Sequence, residues 1–381
     1  MKNRFILPLL IILIGCVKNS EPTTSEVSEE LIIKEFQHQL ERDLEDDNIN
    51  GSISAAIVKG EKIIWSRSLG YIDRDTKSKA NSHTIYRVGS ITKTFTSFLM
   101  MQLYEDQVID LNDAIENYVP EIKEIKGYSK DTRFTFIQLA NHTTGLNREP
   151  DFEDAHNGDI EHWEQKVLES LPHTSFRDQP GKRYAYSNIG YAILGLALSR
   201  AAKKPYIELI QEMVFNPLEM NDSYFDVPES KKSHIAQGME GGPFGELNLD
   251  TPNKEHLGRG YKVPNGAIYS TPNDMAKFMI AMKGYQNLIS KRSIDLMLAP
   301  PSTEEENWWQ SYGLGTRLLR DHIVSTSGHT GTVSGYVANF MYQREGDYGV
   351  VIMRNYNWGM TNIDLRSFAV LRRLKRLGAS N

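Results

Sequence analysis

Cysteine is all but missing from this chain: Cys16 is the only one in 381 residues. No internal disulfide can form, and any C-x-x-C metal or redox site is excluded with it. H-E-x-x-H, the paired-histidine helix of zinc proteases, is absent, as is G-x-S-x-G, the strand-to-helix elbow that presents serine in α/β-hydrolases. His156 and His162 lack a third partner at ligand-like spacing, so no metal is expected and no cofactor is implied. No Lys/Arg cluster forms a phosphate-binding stripe, and the formal net charge is -6. The one basic stretch, L-R-R-L-K-R-L-G, reads as the end of an amphipathic helix with cations at its negative pole. Nucleic acid is therefore not an expected partner. No low-complexity tract or internal repeat is visible. No apolar run reaches the roughly twenty residues that a membrane-spanning helix needs.

What is present begins at the N-terminus. M-K-N-R is basic, F-I-L-P-L-L-I-I-L-I is an apolar stretch of roughly ten residues, and G-C follows, as in a secretory leader. Leu13-Ile14-Gly15-Cys16 resembles a bacterial lipobox, whose cysteine becomes the lipidated first residue of the mature protein. A lone cysteine in an exported protein has no disulfide partner, so lipidation explains Cys16 better than folding does. The plainer alternative is an ordinary signal peptide with an incidental cysteine. The next stretch, V-K-N-S-E-P-T-T-S-E-V-S-E-E, is polar and without aromatics, and reads as a tether. The expectation is a lipoprotein signal peptide at 1–15, a flexible tether at 16–28 and a body at 29–381. A lipid anchor would hold that body at a membrane of the cell envelope, outside the cytoplasm.

The body is long enough to bury a large core. Its composition, 40% hydrophobic and 24% charged, is that of a soluble globular protein. From Glu29 to about Asp47, Leu31, Ile32, Phe36, Leu40 and Leu44 recur at helical spacing. S-I-S-A-A-I-V-K-G-E-K-I-I-W-S-R-S-L-G then reads as two strands turning at Lys59-Gly60-Glu61. Helical periodicity dominates the middle, with one clear start: Thr271 as N-cap, Pro272 at the first helical position, Asp274 at the third. Strand signals return in G-Y-V-A-N-F-M-Y and Y-G-V-V-I-M around Arg344–Asp347, and a last helix spans about Asn362 to Leu377. The fold class expected is α+β. One antiparallel sheet is built from both chain ends and flanked by helices, with a mostly helical lobe inserted at about 100–285. A cleft between lobe and sheet is the natural place for a site.

Three short elements carry chemistry. V-G-S-I-T-K-T-F places Ser90 and Lys93 one helical turn apart at the start of an apolar run, where positions i and i+3 share a face. P-G-K-R-Y-A-Y-S-N-I-G-Y contains Tyr186-Ser187-Asn188. S-T-S-G-H-T-G-T-V-S-G-Y contains His329-Thr330-Gly331 at the entry to an expected strand. Each has a bland rival: Ser90 as a helix cap, and Tyr285-Gln286-Asn287 as a second Tyr-x-Asn. His142 in N-H-T-T-G-L is a candidate base whose plainer role is structural. Trp308 and Trp309 would line the cleft or cover the sheet.

The order Ser-x-x-Lys, Tyr-x-Asn, then a basic residue with Thr-Gly resembles the penicillin-recognising serine hydrolases. The nearest branch holds class C β-lactamases, D-alanyl-D-alanine carboxypeptidases and related esterases. L-A-N-H-T-T-G-L, N-P-L-E-M-N-D-S and G-A-I-Y-S-T-P-N-D-M extend the resemblance over about residue 30 to the end. It implies Ser90 as nucleophile with Lys93 and Tyr186 as a joint acid–base pair, either of which takes the serine's proton. It also implies that Asn188 orients Lys93 and the substrate. The oxyanion donors would be the backbone N–H groups of Ser90 and Thr332. His329, Thr330 and Gly331 complete the substrate wall.

The chain departs from the family where the third element usually opens with lysine, which helps hold a substrate carboxylate. Histidine, with an ordinary pKa near 6.5, is mostly neutral at pH 7, so neutral esters or D-amino-acid amides become better candidates than β-lactams. On this reading a carboxylate substrate gains as pH falls and His329 protonates. The competing functions are a β-lactamase and a lipoprotein that binds peptidoglycan peptides without turning them over.

Overall fold

The computed structural model describes residues 28–241, 246–301 and 309–379. The expected signal peptide, Cys16, nearly all of the tether and Trp308 lie outside the described residues. No helix among the described residues is long and apolar enough to cross a membrane.

Eight strands form one antiparallel sheet: β1 (Ser52–Lys59), β2 (Lys62–Asp73), β3 (Ser78–Lys79), β4 (Gln310–Tyr312), β5 (Arg317–Arg320), β6 (Ser325–Val333), β7 (Tyr336–Gln343) and β8 (Tyr348–Arg354). Their spatial order is β3-β2-β1-β8-β7-β6-β5-β4. The two ends of the chain meet at the centre, where β1 pairs with β8 from Ile53↔Arg354 to Lys59↔Tyr348. Both central strands are covered on both faces, which is why S-I-S-A-A-I-V reads as a near-continuous apolar run rather than an alternation. Ile53, Ala55, Ile57, Val350 and Ile352 point into one core. Ala56, Val58, Val351 and Met353 point into the other.

The first core lies under α1 (Glu29–Asp47) and the C-terminal helix (Ile363–Ala379), and α1 contributes Ile32, Phe36 and Leu40. Leu31 and Leu44 are only partly buried on the flank of that stripe. The second core joins the sheet to the helical lobe. Two of its helices, α2 (Thr92–Glu105) and α3 (Asn188–Ala202), are buried almost all round, as expected of helices with an apolar surface on every side. The helix Pro272–Met282 starts as its sequence signals, with the Thr271 side chain accepting the Asp274 N–H at 3.2 Å. Two small pairings outside the main sheet escaped the sequence reading: Tyr86–Arg87 with Tyr269–Ser270, and Glu240–Gly241 with Leu247–Asn248. At two residues a strand shows no alternation to detect.

Candidate active site

The chain is brought to Ser90 by a short ladder. Tyr86–Arg87 pairs with Tyr269–Ser270, and the Val88 N–H donates to the Ile268 carbonyl at 3.0 Å. Gly89 then turns at φ +54°, where a side chain would be strained, and Ser90 stands just before α2. Lys93, one turn on, is fully buried. Its Nζ lies 3.2 Å from Ser90 Oγ and donates to the Asn265 carbonyl at 2.9 Å. Burial is the main cause that drives the Lys93 amine well below its usual pKa. Glu149 opposes that shift, and the cations Lys262, Arg148 and Arg259 reinforce it. A neutral amine keeps one lone pair, and the Ser90 hydroxyl is the group placed to donate to it.

Tyr186 closes over this pair. Its ring lies 5.0 Å from Lys93 Nζ and 5.1 Å from the Arg148 guanidinium carbon. Burial pushes its phenol up to about 12, while Ser90 and Arg148 pull the other way. His142 holds the Tyr186 segment from both sides: its carbonyl accepts the Ala185 N–H at 2.8 Å and its Nδ1 accepts the Ser187 N–H at 3.1 Å. Nδ1 is thus the unprotonated nitrogen, and burial keeps the ring neutral by moving its pKa well down. The second Tyr-x-Asn stands apart, with Tyr285 feeling Asp347 and Glu61 near the β1–β2 turn.

The third element lies within β6 rather than at its entry. β5 pairs with β6 only from Ser325 to Gly328, so the edge from His329 to Val333 is left open toward Ser90. The approach is close enough to require glycine on both sides. A Cβ at Gly331 would fall 1.8 Å from the Val88 carbonyl oxygen and 3.0 Å from the Ser90 nitrogen; one at Gly89 would fall 3.0 Å from the Thr332 nitrogen. The Ser90 and Thr332 backbone nitrogens therefore border one spot beside the serine.

Two expected contacts differ. Asn188 does not reach Lys93: its Nδ2 donates to Glu149 at 2.5 Å and its Oδ1 has no partner. The Asn265 carbonyl holds the amine instead, and Asn265 Nδ2 in turn donates to the Asn188 carbonyl at 3.1 Å. His329 is buried, with Nδ1 donating to the Thr330 carbonyl at 2.7 Å and Nε2 accepting from the Tyr312 hydroxyl at 2.9 Å. Burial, with Lys93 nearby, lowers its pKa to about 3. The expected protonation of His329 near pH 6 is thereby corrected. Thr330 turns its hydroxyl to the opposite side, toward Asp364. Thr332 is exposed, and Trp309, just before β4, is half exposed.

Sequence reasoning missed Glu149, Asn265 and Tyr312. Tyr312 lies against His142, Tyr184, Tyr186 and His329 at ring distances of 4.8 to 6.2 Å. No local pattern announces such residues, although Glu149 follows closely on L-A-N-H-T-T-G-L.

A beta-lactamase family model matches residues 38–370, most of the chain. The chain belongs to the beta-lactamase family. It is 31% identical over 340 residues to beta-lactamase-like protein 2 of Dictyostelium discoideum, covering 86% of this chain and 60% of that protein. It is 28% identical over 325 residues to protein flp of Staphylococcus aureus, covering 84% of this chain and 62% of that one. The chain thus spans roughly three fifths of the length of these relatives. Among solved structures, a penicillin-binding protein homologue from Pyrococcus abyssi, described as octameric, superposes with a TM-score of 0.75 at 22% identity, covering 92% of this chain and 78% of that one. A beta-lactamase/D-alanine carboxypeptidase from Yersinia pestis superposes with a TM-score of 0.70 at 22% identity, covering 92% and 100%. These likenesses establish the α+β architecture of a family whose members are generally serine hydrolases.

Proposed function

We propose that this chain is an exported, lipid-anchored serine hydrolase that forms an acyl-enzyme on Ser90, with neutral esters or D-amino-acid amides and peptides as substrates. The observation that carries the reading is the buried amine of Lys93, 3.2 Å from Ser90 Oγ, whose pKa desolvation drives well below its usual value. Neutral Lys93 takes the Ser90 proton as Oγ attacks the carbonyl carbon. The oxyanion that forms is met by the Ser90 and Thr332 N–H groups, which are fixed in place before reaction. Tyr186, a phenol at neutral pH, gives its proton to the leaving oxygen or nitrogen and is reprotonated from Lys93. Water then repeats the sequence in reverse and frees Ser90. Asn188 and Glu149 line the cleft on the lobe side and His329 the sheet side.

A fluorophosphonate probe should label the native chain and not Ser90→Ala; equal labelling of both ends the assignment. Membrane attachment rests on Leu13-Ile14-Gly15-Cys16 alone. The native chain should partition with membranes, and Cys16→Ala with an ordinary cleavage site should be soluble. A native chain found wholly soluble refutes the anchor.

A further inference from the structure

One side of the third element is already occupied by a carboxylate of the chain itself. Asp364, in the first turn of the C-terminal helix, points at the sheet beside His329. Its Oδ1 accepts from Thr330 Oγ1 at 2.8 Å and from Asn339 Nδ2 at 2.7 Å. Its Oδ2 accepts from Arg317 Nη1 at 3.1 Å and lies 3.0 Å from Thr330 Oγ1. Arg317 also donates to Thr330 Oγ1 at 2.8 Å, and Asn339 Nδ2 approaches it at 3.3 Å. The two charged side chains are each more than a quarter exposed, so solvent reaches the cluster.

Two features make this more than a helix-docking contact. A threonine hydroxyl has one proton to give, and here Asp364 receives it. Arg317 is also the cation on the sheet side whose charge is felt at Tyr184, Tyr186 and His329. With Asp364 in place, the Thr330 hydroxyl proton is taken and the Arg317 charge is matched by a carboxylate.

We propose that Asp364 is a specificity-determining residue: it takes up the donors of Thr330, Asn339 and Arg317 that would otherwise hold a substrate carboxylate, and so directs the site to neutral substrates. This rests on the reading of Ser90 as an acylating serine. Asp364 touches no reacting atom; it acts by holding Arg317 and Thr330.

The test is a pair of aryl esters, 4-butyryloxybenzoate and its methyl ester, which differ in one negative charge. Release of the phenol from the methyl ester is measured first, in the native chain and in Ser90→Ala. Equal rates in the two would overturn the acyl-transfer reading, whatever Asp364 does. Given Ser90-dependent release, the quantity followed is the kcat/KM ratio of carboxylate to methyl ester. Asp364→Asn should raise that ratio about tenfold or more, the range of one hydrogen bond to a charged group. Adding Arg317→Gln should cancel the gain. An unchanged ratio in a folded Asp364→Asn, or a gain that survives Arg317→Gln, overturns the proposal and leaves Asp364 as a helix-docking acid. Should Asp364→Asn loosen the C-terminal helix, Arg317→Gln alone decides in the otherwise native chain. It should move the ratio by less than about twofold, the usual scatter between uncoupled sites. A tenfold fall would mean that Arg317 already meets the substrate's carboxylate, which also overturns the proposal.

Discussion

The proposal that Lys93 rather than Tyr186 takes the Ser90 proton rests on two opposite effects of one burial. Desolvation disfavours the charged form of each side chain, so it lowers the Lys93 ammonium and raises the Tyr186 phenol to about 12. At pH 7 a phenol of that pKa is ionised about once in 10⁵ molecules, a penalty on the order of 7 kcal/mol at about 1.4 kcal/mol per unit. Burial moves Lys93 the other way, toward the neutral amine that can accept a proton. The perturbation is therefore pH, together with Lys93→Met and Tyr186→Phe, and the assay is the burst of p-nitrophenol from p-nitrophenyl butyrate. For the native chain, kcat/KM should rise along one limb as Lys93 loses its proton and level off well below pH 10. A phenolate base would instead add about tenfold per pH unit toward pH 12. Lys93→Met should abolish the burst without lowering the melting temperature, because it removes a desolvated amine and keeps the volume. Tyr186→Phe should cost the p-nitrophenyl ester little, since p-nitrophenolate departs without a proton. It should cost an alkyl ester about 10²- to 10⁴-fold, the usual worth of a general acid. A native profile still climbing at pH 10, or a Tyr186→Phe that loses both esters equally, would refute the assignment.

His329 should leave the carboxylate-to-neutral substrate ratio flat between pH 8 and 5, because burial lowers its pKa to about 3; a ratio rising below pH 6.5 would count against that. The same shift has a stability consequence. The folded pKa lies below the unfolded one, so stability is full above about pH 6.5 and declines toward pH 3 by up to about 1.4 kcal/mol per unit. Thermal melts of the native chain and His329→Gln should diverge in that window. Gly331→Ala pushes a Cβ against the Val88 carbonyl and should cost about 10²- to 10³-fold in acylation, the worth of a displaced oxyanion donor; native-rate labelling of this variant would separate β6 from the chemistry. His142 sits at φ +62°, a region that asparagine tolerates and β-branched residues do not. His142→Asn should therefore keep more kcat than His142→Val at similar KM, and equal losses would deny that its backbone places Tyr186.

The parts of this fold that were legible in the sequence are those set by neighbours along the chain. The Thr271-Pro272-Asp274 start, the Lys59-Gly60-Glu61 turn and the stripe Ile32, Phe36, Leu40 each state their structure within one or two turns. Ser90 and Lys93 face each other for the same reason, since a helix enforces their spacing. The rest of the site depends on contacts between distant segments. Asn265 meets Lys93 through a main-chain carbonyl, which any residue would supply, so that contact leaves no signal in the sequence. Tyr312 is one tyrosine among 18, and only the fold sets it against His329. The shift of His329 was illegible because it depends on burial, and the spacing of H-T-G says nothing of depth. Asp364 and Arg317 carry no local signal either, since only the packing of the C-terminal helix on the sheet brings them together.

Burial links the base to the substrate. The environment that strips water from Lys93 is the one that keeps His142 and His329 uncharged and packs Tyr184, Tyr186, Tyr191 and Tyr312 around them. A substrate carboxylate entering such a wall loses its hydration and needs a fixed cation in return. His329 supplies no charge and Arg317 is already matched by Asp364. On the lobe side, Arg148 and Lys262 face Glu149 at 3.7 and 3.8 Å. A lysine at position 329 would restore a cation, but its ammonium would have to give up its hydration in the same buried wall. Freeing Arg317 from Asp364 adds a counter-charge beside Thr330, where solvent still helps to carry it. Specificity in this site is thus more readily changed at Asp364 than at His329, even though His329 is the position where the sequence visibly departs from its family.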